Sequence, residues 1–175
     1  MVDIKKVSSV LIVLLVTVMF LLCCKKKNPE IQTTITLENI SEKEYESIKY
    51  LSNQEKGARE DYKKLTAHVE ITNSKKAVER MINIPNLYII NEYDGLRVIN
   101  GQSESRNNVG KEETADCLES IIFNSKGLSE QNIRNIYNDS VIYIAYRLKD
   151  SEVTENKVSI GKETIIKEQG FQFLY

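Results

Sequence analysis

The segment LTAHVEIT, residues 65–72, alternates apolar and polar side chains without interruption. Its apolar members stand at positions 65, 67, 69 and 71, and a polar residue follows each of them. Successive side chains of a β-strand point to opposite faces, so this spacing places every apolar group on one face. The alternation therefore predicts a strand with one buried side and one solvent-facing side, and Asn73-Ser74 predicts a turn after it.

Similar strand patterns occur on both sides of this segment. The period of two recurs at residues 31–37, more weakly at residues 78–84, and again from Ala115 to Phe123. Residues 141–148 are apolar at every position except Arg147, which is typical of an interior strand between two packed layers. These segments predict that most of the chain folds as β-structure.

Turn residues divide the remaining strand-like segments. Asp94-Gly95 predicts a hairpin between residues 87–92 and 96–99, and the polar residues 102–113 after it predict a loop. A last hairpin is predicted around Gly161-Lys162, between residues 158–160 and 164–166. Phe171, Phe173 and Tyr175 alternate again at the end of the sequence.

Two short helices are predicted from their capping residues. Ser41 and Glu44 form a capping box for a helix that ends before Gly57. Ser129 is suited to be the N-cap of a second helix, which runs to Tyr137. With about eight or nine short strands, the fold class predicted is all-β, an antiparallel sandwich with one or two short helices.

An uncharged run precedes this domain, from Val7 to Cys24, and lysines flank it at positions 5–6 and 25–27. As a helix the run is about 27 Å long, close to the roughly 30 Å hydrocarbon core of a bilayer. We therefore expect an N-terminal hydrophobic helix. Residues 1–27 form a membrane anchor or signal segment, and residues 28–175 form one soluble domain.

Three fates of the N-terminal segment are considered, namely a retained single span, a cleaved secretory signal, and a signal cut at a lipidated cysteine. The sequence Leu21-Leu22-Cys23-Cys24 resembles the lipobox of bacterial lipoproteins, so Cys23 and Cys24 are the possible lipidation sites. Leu22 stands where a small residue is usual before Cys23, which favours the retained helix slightly. Whether the helix is retained or a cysteine is lipidated, the partner of this segment is membrane lipid.

The layout of the first residues resembles an export signal, with a short basic head before an apolar run. We therefore expect the protein at the cell membrane with its soluble domain on the extracytoplasmic side, although the three lysines after the run would by count favour the cytoplasm. Beyond residue 24 the chain carries 22 basic and 24 acidic side chains, a balance that argues against a nucleic-acid partner.

Four predicted elements follow one another between Ala67 and Leu148. They are a strand that ends with residues 69–74 (VEITNS), a hairpin, a polar loop and the late strand Val141–Leu148. This half of the chain resembles the immunoglobulin-like sandwiches of small bacterial envelope lipoproteins. The tryptophan and the paired cysteines of antibody domains are missing from it. The resemblance implies an immunoglobulin-like fold and no activity.

Candidate catalytic and metal-binding groups are few. His68 is the only histidine, and we interpret it as an exposed or half-buried strand residue rather than a metal ligand. Cys117 is the only cysteine beyond the anchor and is interpreted as an inert core thiol. Asp116 and Glu119 do not share a strand face, which argues against a pair of catalytic carboxylates. The sequence predicts no catalytic, cofactor-binding or metal-binding residues.

Tyrosines are the residues with a second interpretation, because they suit both cores and binding surfaces. We expect most of them in the core; they are Tyr88, Tyr93, Tyr137, Tyr143, Tyr146 and Tyr175. The function expected is a non-enzymatic binding or envelope-assembly role with a protein partner of unknown identity and no cofactor. Two alternatives stay open, a carboxylate-dependent hydrolase and a protective immunity-type protein at the membrane.

Overall fold

Two β-sheets form the computed structural model, which describes residues 28–48 and 56–167. The described part contains eight strands and four short α-helices, with three 3-10 helices between them. The strands are β1 Glu30–Asn39, β2 Tyr62–Thr72, β3 Ala77–Asn83, β4 Val98–Arg106, β5 Ala115–Asn124, β6 Val141–Leu148, β7 Val153–Ser159 and β8 Ile165–Lys167. The α-helices are α1 Glu42–Ser47, α2 Asn91–Asp94, α3 Glu130–Ile136 and α4 Ile160–Glu163.

The five-stranded sheet has the order β4-β5-β2-β1-β8, and the three-stranded sheet has the order β3-β6-β7. All neighbours pair antiparallel except β1 and β8, which run parallel. The chain passes from one sheet to the other four times, after β2, β3, β5 and β7. The predicted all-β fold with two sheets and a few short helices is confirmed at this level.

The main core lies between the two sheets and contains the apolar face of residues 65–72. Leu65, Ala67, Val69 and Ile71 all have 0% exposure. They share one cluster with Phe123 and residues from β1 and β6. Fully burying a large aliphatic side chain contributes about 1.5–3 kcal/mol, so this one strand accounts for a substantial part of the hydrophobic stabilisation.

Both predicted helix starts are confirmed. Ser41 accepts a hydrogen bond from the backbone N–H of Glu44, whose carboxylate accepts one from the Ser41 N–H in return. Ser129 and Asn132 make the same reciprocal arrangement at the start of α3. α1 ends at Ser47, and the rest of the helix predicted up to Gly57 lies largely outside the described residues.

The predicted hairpin around Asp94-Gly95 is wrong, because a 3-10 helix spans Leu87–Ile90 and α2 follows it directly. Leu87 and Ile90 stand three apart, and the helical turn directs both into the core, with 2% and 0% exposure. The loop predicted at residues 102–113 begins too early, since β4 extends to Arg106. There the backbone pairing with β5 maintains the strand even though the side chains are polar and exposed.

The predicted hairpin around Gly161-Lys162 is also wrong. Ile160, with 0% exposure, begins α4 instead, and Ser159 caps this helix. The chain then crosses to the other sheet, where Ile165–Lys167 pairs parallel with β1. Gly161 allows this close crossing, because a Cβ atom there would lie 2.1 Å from the carbonyl oxygen of Arg134. The alternation at residues 171–175 lies outside the described residues.

Candidate binding surface on the three-stranded sheet

The outward side of the three-stranded sheet, here called the outer face, is covered by no other element of the described chain. Three rows of side chains cross it from β3 through β6 to β7. The rows are Glu79, Arg147 and Val153, then Met81, Ala145 and Glu155, then Asn83, Tyr143 and Lys157. The prediction that β6 is packed on both sides is therefore only half correct: β6 is the central strand, but only its Ile142 and Ile144 side faces the core.

A shallow groove of about 610 Å³ runs along this face. Four large apolar side chains that line it are strongly exposed, namely Val78 (44%), Met81 (56%), Val109 (42%) and Val153 (51%). Binding sites for small molecules and peptide side chains commonly have volumes in the range of roughly 300–1,000 Å³ and largely apolar walls. The groove has the size and the composition of such a site.

Local sequence features bring these apolar groups outward. The register of β3 against β6 shifts between Ala77 and Glu79, which leaves Val78 in an irregularity of the strand. Bulges of this kind re-aim side chains. On β6 the positions that alternate with the core residues are Val141, Tyr143 and Ala145, so this strand is apolar on both faces although only one is covered.

The four charged groups of the outer face sum to zero, and two of them form an ion pair. Arg147 donates to Glu79 twice, with Nε–Oε2 at 3.0 Å and Nη2–Oε1 at 2.5 Å. The hydrogen bond from Arg147 lowers the pKa of Glu79, so this carboxylate is ionised at neutral pH. A hydrogen bond to Glu155 raises the pKa of Tyr143, and Lys157 Nζ lies 5.8 Å from the centre of the Tyr143 ring.

Behind β3, the buried Arg80 holds one wall of the groove in place. Its exposed fraction is 9%, and its guanidinium donates to Asn107 Oδ1 and Ser74 Oγ, both at 2.5 Å. Burial lowers the pKa of Arg80. Because Asn107 lies two residues before Val109, these hydrogen bonds restrain the loop that carries Val109. This wall of the groove is therefore held by contacts within the described chain.

His68 lies on the opposite side of the molecule, on the exposed face of β2. Its Nε2 is 3.1 Å from Asp116 Oδ2, and 33% of its side chain is exposed. The interpretation as a half-buried strand residue is confirmed. Arg106 Nη2 lies 3.8 Å from the same carboxylate. Within residues 28–48 and 56–167 no group of three or more His, Cys, Asp or Glu side chains is placed to hold a metal ion.

Cys117 is buried with 7% exposure, as predicted, and its Sγ lies 3.2 Å from Ser105 Oγ. The interpretation of Asp116 and Glu119 is also confirmed, because they lie on different faces of β5. Asp116 contacts His68, whereas Glu119 accepts a hydrogen bond of 2.6 Å from Ser103.

The tyrosines divide between core and surface. Tyr137 is in the core with 1% exposure, as predicted, and its hydroxyl donates to the Leu87 carbonyl at 2.5 Å. The core prediction is wrong for Tyr88 and Tyr93, which are 45% and 54% exposed. Two others, Tyr143 and Tyr146, line the groove, and Tyr175 lies outside the described residues.

Sequence reasoning missed the groove as a site. The signal was present, since residues 141, 143 and 145 are apolar on the strand face that does not carry Ile142 and Ile144. A second apolar face indicates either a further covering layer or an exposed surface, and the pattern alone does not distinguish the two.

No protein-family model matches the chain, and no curated protein matches it.

The predicted lipidation residues Cys23 and Cys24 lie outside the described residues. None of the helices in residues 28–48 and 56–167 is both long and apolar enough to cross a membrane.

Proposed function

We propose that this chain is a membrane-anchored, extracytoplasmic β-sandwich protein that acts as a non-enzymatic binding or envelope-assembly module. The groove on the outer face of the three-stranded sheet is its binding surface. The observation that carries this proposal is the exposed apolar lining of the groove, formed by Val78, Met81, Val109 and Val153. Apolar patches of this kind on a folded domain mark interaction sites.

The anchor in this proposal is the uncharged run from Val7 to Cys24. A retained helix and a lipidated Cys23 or Cys24 would both hold the domain at the membrane through lipid. The basic head before the run is the feature that supports export. The domain then faces the extracytoplasmic side of the cell membrane.

The strand order supports an immunoglobulin-like type for the sandwich. Immunoglobulin constant-type domains place strands A, B, E and D in one sheet and strands C, F and G in the other. Here β1 to β7 follow the same sequence of sheets, with β4-β5-β2-β1 corresponding to D-E-B-A and β3-β6-β7 corresponding to C-F-G. The parallel strand β8, added beside β1, departs from that pattern.

The chemistry of the groove suits a protein or peptide ligand with aliphatic side chains. Met81 is flexible and polarisable, and such residues adapt to partners of irregular shape. The charges around it, Glu79 with Arg147 and Glu155 with Lys157, are of both signs and provide orientation more than affinity. Glu79 is held ionised by Arg147, which suits an ion pair rather than proton donation.

Capture of partners by the full chain from detergent-solubilised membranes tests the proposal. Met81→Glu places a charge in the groove and is expected to reduce the captured partner at least tenfold. Leu96→Glu is the matched control, because Leu96 is 89% exposed but lies in the turn between α2 and β4, away from the groove. Equal capture by both variants and the original chain would contradict the proposal, as would hydrolysis of a broad substrate panel by the purified protein.

A further inference from the structure

The chain enters the sandwich at the end where β6 finishes. Pro29 immediately precedes β1, and its carbonyl oxygen accepts a hydrogen bond of 3.4 Å from the hydroxyl of Tyr146, near the end of β6. β3 starts at the same end of the sandwich, because Thr72 pairs with Glu30 and only four residues separate it from Ala77. Val78, Glu79 and the end of β6 therefore lie at the end where the chain enters.

The distance from the anchor to this end is short. Five peptide units join Cys24 to Pro29, and a fully extended chain covers at most about 3.5 Å per residue, so they span no more than about 18 Å. This limit is the same for a retained helix that ends at Cys24 and for a lipidated cysteine. The outer face is about 10 Å across the sandwich from β1. If the anchor of the proposed function holds, the near end of the groove therefore lies within roughly 30 Å of the lipid surface.

The size of the outer face limits what it can bind. Three strands spaced about 4.8 Å apart and seven residues with a rise of about 3.3 Å cover an area of about 14 by 23 Å. A stable homodimer buries about 800 Å² on each partner, more than twice this area. A second copy of the chain is therefore too large a partner for this face alone, whereas one extended segment or one helix fits it.

Residues 168–175 are too short a segment to reach and fill the groove. Lys167 pairs with Glu38, near the opposite end of β1 from Glu30. From there the groove is about 20 Å away along the strands and a further 10 Å through the sandwich. Residues 168–175 span at most about 28 Å when fully extended, so this segment does not supply the occupant of the groove.

The charges at the entry end favour a protein partner over the bilayer itself. The loops there carry Lys75, Lys76, Lys111 and Lys149 together with Glu112, Glu113, Asp150 and Glu152. Surfaces that bind anionic lipid carry a clear excess of basic groups, with about 1 kcal/mol for each one near the membrane. The equal numbers in these loops provide no such excess next to the groove, whereas the three lysines at positions 25–27 flank the anchor.

We propose that the partner of the groove is a protein of the same membrane, which presents one short aliphatic segment within about 30 Å of the lipid surface. This inference rests on the proposed function and adds the class of partner and its position. The segment lies across Met81 and Val153, and the paired charges of Glu79 and Arg147 contact its polar edge.

Photo-crosslinking of the full chain in its own membranes tests this inference. A benzoylphenylalanine is introduced at Met81, and a second variant carries it at Leu96 as the distal control. A further pair of chains contains six EAAAK repeats between Lys27 and Asn28, which raise the domain by up to about 45 Å where helical. Mass spectrometry identifies the peptide or lipid attached to the probe, and limited proteolysis verifies that each variant is folded.

The expected result is an adduct at Met81 with a peptide that lies close to the end of a transmembrane segment. Its yield should fall at least tenfold when the EAAAK repeats are present, and Leu96 should not form it. A phospholipid adduct would overturn the inference in favour of lipid. A partner that crosslinks equally with the repeats present would overturn the inference but leave the proposed binding function intact, whereas no adduct at Met81 in either chain would overturn both.

Discussion

The hydrogen bond of Tyr137 allows a quantitative test of what stabilises the end of the sandwich opposite to the start of β1. The hydroxyl of Tyr137, at the end of α3, donates to the carbonyl of Leu87, 50 residues earlier in the sequence. Both residues are almost fully buried, with 1% and 2% exposure. Tyr137→Phe removes this donor and the hydrogen bond between the hydroxyl and the Ile90 backbone, whereas the ring fills nearly the same space.

We expect this substitution to lower the free energy of unfolding by about 1–2 kcal/mol at pH 7. A typical buried hydrogen bond contributes about 0.5–1.5 kcal/mol, and a buried carbonyl that loses its donor adds a desolvation penalty. For a domain of about 150 residues, the melting temperature should fall by about 3–8 °C. Tyr93→Phe is the matched control, and because Tyr93 is 54% exposed, a change below about 0.5 kcal/mol is expected.

The difference between the two proteins should depend on pH. Burial raises the pKa of Tyr137 in the folded state, whereas the unfolded value is about 10. The neutral phenol of Tyr137 therefore contributes its full stabilisation below pH 10. This contribution is lost as pH rises above 10, at about 1.4 kcal/mol per pH unit. The Phe variant has no such loss, so the two unfolding free energies should become equal near pH 11.

Urea denaturation of residues 28–175, followed by far-UV circular dichroism at pH 7, 10 and 11, measures these quantities. Either of two results would refute the reasoning: an effect of Tyr137→Phe no larger than that of Tyr93→Phe, or a difference that does not change between pH 7 and pH 11. The same spectra test the fold, since a helix-dominated spectrum would contradict the two-sheet architecture.

Three further changes have defined outcomes. Gly161→Ala places a methyl group 2.1 Å from a backbone carbonyl oxygen and should lower the free energy of unfolding by about 2–3 kcal/mol. The control is Gly127→Ala, which has open space around it and a positive φ of 78°, and it should lower that free energy by only about 1 kcal/mol. Equal melting temperatures of the two variants would contradict this prediction. Burial opposes ionisation of Glu44, but hydrogen bonds from a lysine and the N-cap outweigh it and lower its pKa to about 2. The stability advantage over Glu44→Gln should therefore be complete above pH 4.5 and vanish as pH falls towards 2, as chemical denaturation at stepped pH will show. If Cys23 or Cys24 is lipidated, mass spectrometry should find that cysteine at the N-terminus with diacylglyceryl mass, and Cys→Ala at the acceptor should block processing; an intact N-terminus would instead support the retained helix.

The sequence alone predicted the elements whose signals are local. The alternation at residues 65–72, like that at residues 31–37, predicts a strand because a period of two has one structural meaning when one face must be buried. The capping boxes at Ser41 and Ser129 likewise involve groups only three residues apart. The burial of Cys117 followed from its phase with the apolar positions of the same strand.

Tertiary structure decided the elements whose local sequence is compatible with two different secondary structures. The segment Leu87–Ile90 is short and apolar, so it suits a strand or a helical turn, and the core selected the turn that buries both Leu87 and Ile90. Ile165–Lys167 suits a hairpin partner equally well, but the tight crossing at Gly161 carries it to the other sheet, beside β1. Neither result is available from the residues within a few positions of the segment.

The groove is the clearest case of this division. The sequence determined that residues 141–148 are apolar on two faces, but it did not determine whether both faces would be covered. That outcome depends on how many strands enter each sheet: the five-stranded sheet covers one side of β6, and no element of the described chain covers the other. Exposure is a property of the assembled layers, because the neighbours that bury a strand come from distant parts of the chain.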